Sequence, residues 1–207
     1  MMDLNPFERS EIPAARKHGP GGYLNYQEYK DWLRDEFYFR CVYCLEREQW
    51  YPSRSASYAV EHTLPQNQYP DLICQYDNLV YACARCNSLK QLNLVLDPSK
   101  VVMSEHIQIM EDGTIESASI EGEYFISIFH LNESPALDIR KMMLRFVELK
   151  RRFPDDVDLD LVFRSLFGFP DALPDLGAKR PPSNSRPEGT QRCFFRLRAN
   201  GTLPESY

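Results

Sequence analysis

An α+β fold is predicted by three observations: two identical cysteine pairs, a strand, loop, strand, helix pattern set between and just after them, and flanks of different texture on either side. The pairs are Cys41-Val42-Tyr43-Cys44 and Cys83-Ala84-Arg85-Cys86, with 38 residues between them. Two residues between thiolates let both sulfurs of a tight turn reach one tetrahedral ion, and two such knuckles complete a closed four-thiolate site. A structural Zn2+ on Cys41, Cys44, Cys83 and Cys86 is therefore expected. A redox role would need a thioredoxin-like strand and helix around a single motif, and two copies argue against it. Cys74 and Cys193 read as ordinary thiols.

Four segments follow in order. Residues 1–40 are expected to form an arm and one helix. Met1 to Gly22 is irregular, with Pro13, Gly19, Pro20, Gly21 and Gly22, whereas Tyr26, Tyr29, Trp32, Leu33, Glu36 and Phe37 have helical spacing. Residues 41–100 hold the knuckles, with strands at Ser57 to His62 and Asp77 to Ala82 and a helix from Asn87 to near Leu94. In residues 101–170, His106 to Met110 and Ile115 to Ile120 flank the hairpin signal Glu111-Asp112-Gly113-Thr114. Tyr124 to Leu131 reads as a third strand, and Leu137, Met142, Met143, Phe146, Val147 and Leu149 give an apolar helix face. Residues 171–207 form a basic tail whose prolines, including Pro174, Pro181, Pro182 and Pro187, suggest a linker ending in a strand at Cys193 to Leu197.

Composition narrows the class. The 207 residues, 43% apolar and 26% charged, exclude a wholly disordered, collagen-like or disulfide-framework chain. No apolar run approaches the roughly 18 residues of a membrane span, and the first residues are polar, so a soluble cytoplasmic protein without a membrane partner is expected. The net charge of −6 opposes nucleic acid at long range, so such a partner must be held locally. Basic residues do cluster, at Arg140, Lys141, Arg145, Lys150, Arg151 and Arg152 and again at Lys179, Arg180, Arg186, Arg192, Arg196 and Arg198. Each cluster reads as a solvated face or as a phosphate-binding strip.

The interval between the knuckles is longer than a simple four-cysteine ribbon needs. It contains Glu61-His62-Thr63-Leu64-Pro65 and Asn78-Leu79-Val80-Tyr81-Ala82-Cys83, and the second knuckle runs on as Cys86-Asn87-Ser88-Leu89-Lys90. A carboxylate beside an imidazole at a strand end offers one hard oxygen ligand and one titratable nitrogen, the two parts phosphodiester hydrolysis requires.

Taken together, Cys41 to Lys90 resembles the HNH endonuclease family in its His-Asn-Asn form, whose catalytic unit is a ββα-metal finger between two CxxC zinc knuckles. The resemblance implies a DNA phosphodiester hydrolase with His62 as general base and Glu61 and Asn87 holding one Mg2+ or Mn2+. It implies that Asn78 fixes the loop carrying His62 through hydrogen bonds. Lys90 and Arg85 are candidate phosphate contacts, each with a plain surface role as the alternative. Glu61 departs from the aspartate more usual at its position, and the extra methylene bears on metal preference. His18, His106 and His130 are assigned no role. Small proteins of this type suggest bacterial anti-phage defence or restriction, and the acidic total suggests a protein partner that activates or targets the nuclease. The competing readings are a zinc-stabilised binding module without cleavage and an RNA-directed nuclease of toxin type.

Overall fold

The computed structural model describes residues 5–8 and 16–204. Half of the expected irregular arm lies outside the described residues; near its end, Pro20–Gly21 (β1) is a short strand paired with a segment from the far end of the chain. Asn25 accepts from the Gln27 backbone N–H and starts a 3₁₀ turn, which runs into α1 (Lys30–Glu36). This helix buries Trp32 and Leu33 and, less usually, Arg34 and Asp35. Both charged groups have fixed partners. Arg34 makes a two-pronged contact with Glu48 at 2.7 and 3.1 Å, and the Tyr81 hydroxyl donates to the same carboxylate at 2.7 Å. A paired and hydrogen-bonded carboxylate is the form in which a buried charge is tolerated.

The finger follows. Tyr58–His62 (β2) and Leu79–Cys83 (β3) pair antiparallel in a register that sets Tyr58 opposite Cys83 and His62 opposite Leu79. Alternate residues Tyr58, Val60 and His62 are buried in β2, whereas every residue of β3 is buried, as expected of a strand covered on both faces. Helix α2 (Ala84–Lys90) begins at the second knuckle, where Cys83 Sγ accepts from the Cys86 backbone N–H, and packs on both strands. It starts three residues earlier than the sequence pattern suggested. Strand, strand and helix form the ββα unit around the clustered cysteines.

Ile107–Ile109 (β4) and Ile115–Ser117 (β5) form the expected hairpin, with Gly113 at φ +86° in its turn. The predicted third strand is instead helix α3 (Ile120–Ile128). Ser119 caps it by accepting from Gly122 N at 3.0 Å, and Glu121 and Glu123 occupy its first turn, where negative charge meets the helix dipole. Phe125 and Phe129, four apart, then bury together, and Phe129 stacks on Tyr43 at 4.4 Å. The cap and this spacing outweigh the strand propensity of the aromatic residues. Gly122 is required there, because a Cβ would lie 2.1 Å from the His106 carbonyl oxygen.

Helix α4 (Ala136–Arg152) has the expected apolar face, but its basic surface is partly committed. Arg140 is 2% exposed and donates to the Gly113 and Leu131 carbonyls, Lys150 pairs with Asp160 at 2.9 Å, and Arg151 pairs with Glu148 at 2.8 Å. The acidic run after it starts α5 (Val157–Phe167), with Asp156 as N-cap and Asp158 and Asp160 in the first turn. Carbonyls at the end of α5 are satisfied from the segment just after the first knuckle: Arg47 donates to Phe167 O at 3.0 Å, Trp50 to Leu166 O at 2.9 Å, and Gln49 to Gly168 O.

The tail is not a free linker. Ser183–Asn184 (β6) pairs with β1, and Lys179 pairs with Asp31 at 2.6 Å. The predicted final strand is helix α6 (Phe194–Ala199). The Phe194 backbone N–H donates to buried Asp35 at 2.8 Å, and its ring sits among Tyr38, Phe39 and Phe169. Asp35 also receives Lys17 and, at 2.8 Å, buried His18, so one carboxylate ties both ends of the described chain to α1.

Candidate active site and metal centre

The two knuckles converge. Ligand sulfurs of Cys41, Cys44, Cys83 and Cys86 lie within 4.8 Å of one another and all four residues are buried. Cys44 and Cys83 sulfurs are 3.8 Å apart. Two thiolates at tetrahedral positions about 2.3 Å from zinc stand roughly 3.8 Å from each other, so the donor set and its spacing fit that ion. Burial raises the Cys44 thiol well above its ordinary range, with Cys41, Cys83 and Cys86 adding to the rise, so thiolates here call for a cation. The first knuckle is held to β3 by Val42 N donating to Tyr81 O at 2.9 Å. Arg85, inside the second knuckle, donates to Phe129 O at 2.8 Å and stands 3.9 Å from buried Glu46. It faces the frame and the extension and does not line the cleft described next, in contrast to the phosphate contact considered from sequence.

At the other end of the hairpin an open cleft of about 400 Å³ is lined by Tyr26, Glu61, His62, Gln66, Asn87, Gln91 and Leu92, among others. Three of the expected residues, Glu61, His62 and Asn87, thus share one cavity. The Asn87 side chain makes no hydrogen bond among the described residues, which leaves its carbonyl oxygen uncommitted. Lys90 is fully buried, its ammonium 3.3 Å from Glu61. That position differs from the expected substrate-facing lysine: one turn beyond Asn87, the side chain turns under β2 instead of outward. Burial pushes the Glu61 carboxyl up from its ordinary range, and the Lys90 charge partly opposes the rise.

His62 is 4% exposed, and its ring is fixed on three sides. Nε2 lies 2.9 Å from the Ile73 carbonyl oxygen, and Tyr26 meets the ring edge-on at 4.7 Å. A carbonyl can only accept, so Nε2 carries the hydrogen of the neutral ring and Nδ1 presents the lone pair. Gln66 Nε2 stands 3.1 Å from that Nδ1. Burial lowers the His62 pKa, the Ile73 hydrogen bond partly restores it, and the Lys90 charge lowers it further, so the net shift is downward and favours a neutral imidazole. Asn78 lies behind the cleft, 4% exposed. Its oxygen accepts from Leu64 N at 2.9 Å and Thr63 Oγ1 at 2.8 Å, and its amide donates to the Leu64 and Leu72 carbonyls at 3.2 Å each. All four bonding positions of that amide are filled, and they join the two ends of the loop after His62.

Residues 41–91 match the family model described as HNH endonuclease. This segment is an HNH endonuclease domain. It contains the knuckles, the ββα unit and most of the residues lining the cleft. The chain is similar to Septu protein PtuB of Bacillus thuringiensis, with 29% identity over 113 residues. The match covers 51% of this chain and 41% of that relative, so well under two thirds of the relative's length is spanned. Among the described residues no helix is long and apolar enough to cross a membrane.

Two residues of the HNH cleft escaped sequence reasoning. Tyr26 stands in the sequence only as part of a helical spacing, and the fold brings it against His62. Gln66 carries no sequence signal, since a polar residue after a proline in a loop is ordinary.

Proposed function

We propose that the chain is a metal-dependent nuclease hydrolysing DNA phosphodiester bonds. The observation carrying this reading is the His62 ring, neutral by its surroundings, oriented by the Ile73 carbonyl and lining the cleft it shares with Glu61 and Asn87. Nδ1 accepts a proton from the attacking water, and the Nε2–H bond to Ile73 shares the positive charge that results. Asn78 holds the loop that carries Pro65 and Gln66, and so keeps the cleft wall in register with the imidazole. Glu61 and Asn87 would hold one Mg2+ or Mn2+, which supplies positive charge to the phosphate and the leaving oxygen. Lys90 holds the longer glutamate side chain in place. Zn2+ on the four cysteines is structural.

A bacterial setting in anti-phage defence fits the relative and the expected family context, with action in the cytoplasm. The chain's acidic total supports a protein partner that targets or activates it. Supercoiled plasmid incubated with the protein and Mg2+ or Mn2+ is expected to be nicked or linearised, and His62→Ala to be inactive. Equal cleavage by both proteins would contradict the assignment. Duplex, single-stranded DNA and tRNA substrates in parallel separate DNA from RNA specificity. One observation favours the binding-module reading: Glu61 already has a cationic partner in Lys90. That reading expects His62→Ala and Asn87→Ala to leave every cellular phenotype intact.

A further inference from the structure

Resting on the nuclease reading of this cleft, we infer that Gln66 is a substrate-displaced cap on the His62 general base. The imidazole has two nitrogens, and each already has a partner. Nε2 is spent on the Ile73 carbonyl at 2.9 Å, which makes Nδ1 the acceptor, and the Gln66 side-chain amide lies 3.1 Å from that acceptor. The amide orientation follows from the tautomer: its nitrogen donates to the lone pair, whereas its oxygen in the same place would face a second lone pair. Tyr26 packs on the ring edge at 4.7 Å, so turning the ring to expose a different nitrogen is opposed. As it stands, the nitrogen that must accept the water proton is occupied by an N–H.

The two partners differ in how firmly they are held. Ile73 offers a backbone carbonyl in a segment tied down by Asn78 through Leu72. Gln66 is an exposed side chain on the loop beyond Pro65, has several rotatable bonds, and lines the mouth of the cleft. The backbone contact therefore orients the ring permanently, while the side-chain contact is free to leave. A phosphate and its attacking water entering the cleft meet the Gln66 amide before they meet Nδ1. Once displaced, that amide is a neutral donor beside the anionic phosphate oxygens. Gln66 is thus a positioning residue acting through His62: it shields the base when no substrate is bound and yields it on entry.

A capped base reduces the fraction of competent enzyme, so apparent affinity is lowered by that fraction. Gln66→Ala and the near-isosteric Gln66→Met, which lacks the N–H, are both expected to raise kcat/KM on supercoiled plasmid with Mn2+. The gain should be about three- to tenfold and lie mainly in KM, the size of one hydrogen bond to a neutral acceptor. In protein labelled with ¹⁵N-histidine, both variants should move the His62 Nδ1 resonance while Nε2 stays protonated. A fall in kcat/KM, an unchanged value, an effect in the alanine variant alone, or an Nδ1 resonance identical in all three proteins would each overturn the cap. If the resonance moves but wild-type protein cleaves no nucleic acid, the nuclease reading fails and the cap on Nδ1 stands.

Discussion

The zinc frame and the cleft are built on the two ends of one hairpin, and they are finished in opposite ways. At the Tyr58–Cys83 end, four sulfurs face one another in a buried cluster that leaves a metal no open position. At the His62–Leu79 end, one carboxylate, one uncommitted amide and one oriented imidazole surround a cleft open to solvent. A closed ligand set contributes folding energy, and an open one leaves room for substrate. The strands transmit the first property to the second, because the register that brings Cys83 to the knuckle also sets His62 in the wall of the cleft.

Disturbing the frame should have the largest effect. Cys83→Ser removes a zinc ligand while its hydroxyl can still cap α2; structural zinc contributes on the order of 10 kcal/mol in small fingers, so loss of bound zinc and of the cooperative thermal transition is expected. A variant that keeps its melting temperature would show that the frame is dispensable.

The next effect sharpens the boundary between the two regions. Asn78→Ala empties a buried position where four hydrogen bonds met, and leaving such groups unsatisfied costs about 1–3 kcal/mol each before relaxation. Thermal melts should show a destabilised protein that still holds zinc, with cleavage reduced through a loosened loop. Zinc loss in this variant would mean the two ends of the hairpin are not separable.

Acidity gives the smallest and most local effect. His62 in the folded chain has a pKa below its ordinary value of 6.5, so between the two values the unfolded chain binds the proton and the folded chain does not. The contribution of this group to stability is therefore present above 6.5 and declines as pH falls through the lower, folded value. The same depression places the rising limb of the pH–rate profile below 6.5, and a divalent cation at Glu61 would act in the same direction. A limb centred above 6.5 would contradict the buried, neutral imidazole.

How much of this was legible in the sequence follows from which forces are local. The cysteine spacing, the β2 alternation and the order Glu61, His62, Asn78, Asn87 are short-range patterns, and they located the finger and three of the residues that line its cleft. Cap chemistry is the harder signal: Ser119 begins a helix where the apolar pattern alone suggests a strand, and Asp156 begins another. Long-range pairing was not legible. Arg140 and Lys179 looked like surface cations, yet one is buried against two carbonyls and the other pins the tail to α1. Nor does anything near Lys90 in the sequence indicate that it turns inward to Glu61, since that depends on how α2 packs across β2.

Measuring zinc content, melting temperature and plasmid cleavage on a single preparation of Glu61→Ala probes the division of labour most directly. Stoichiometric zinc with cleavage abolished is the expected result, with a lowered melting temperature because buried Lys90 loses its partner. Loss of zinc from that variant, or cleavage equal to wild type, would show that the carboxylate had been assigned to the wrong ion or to none.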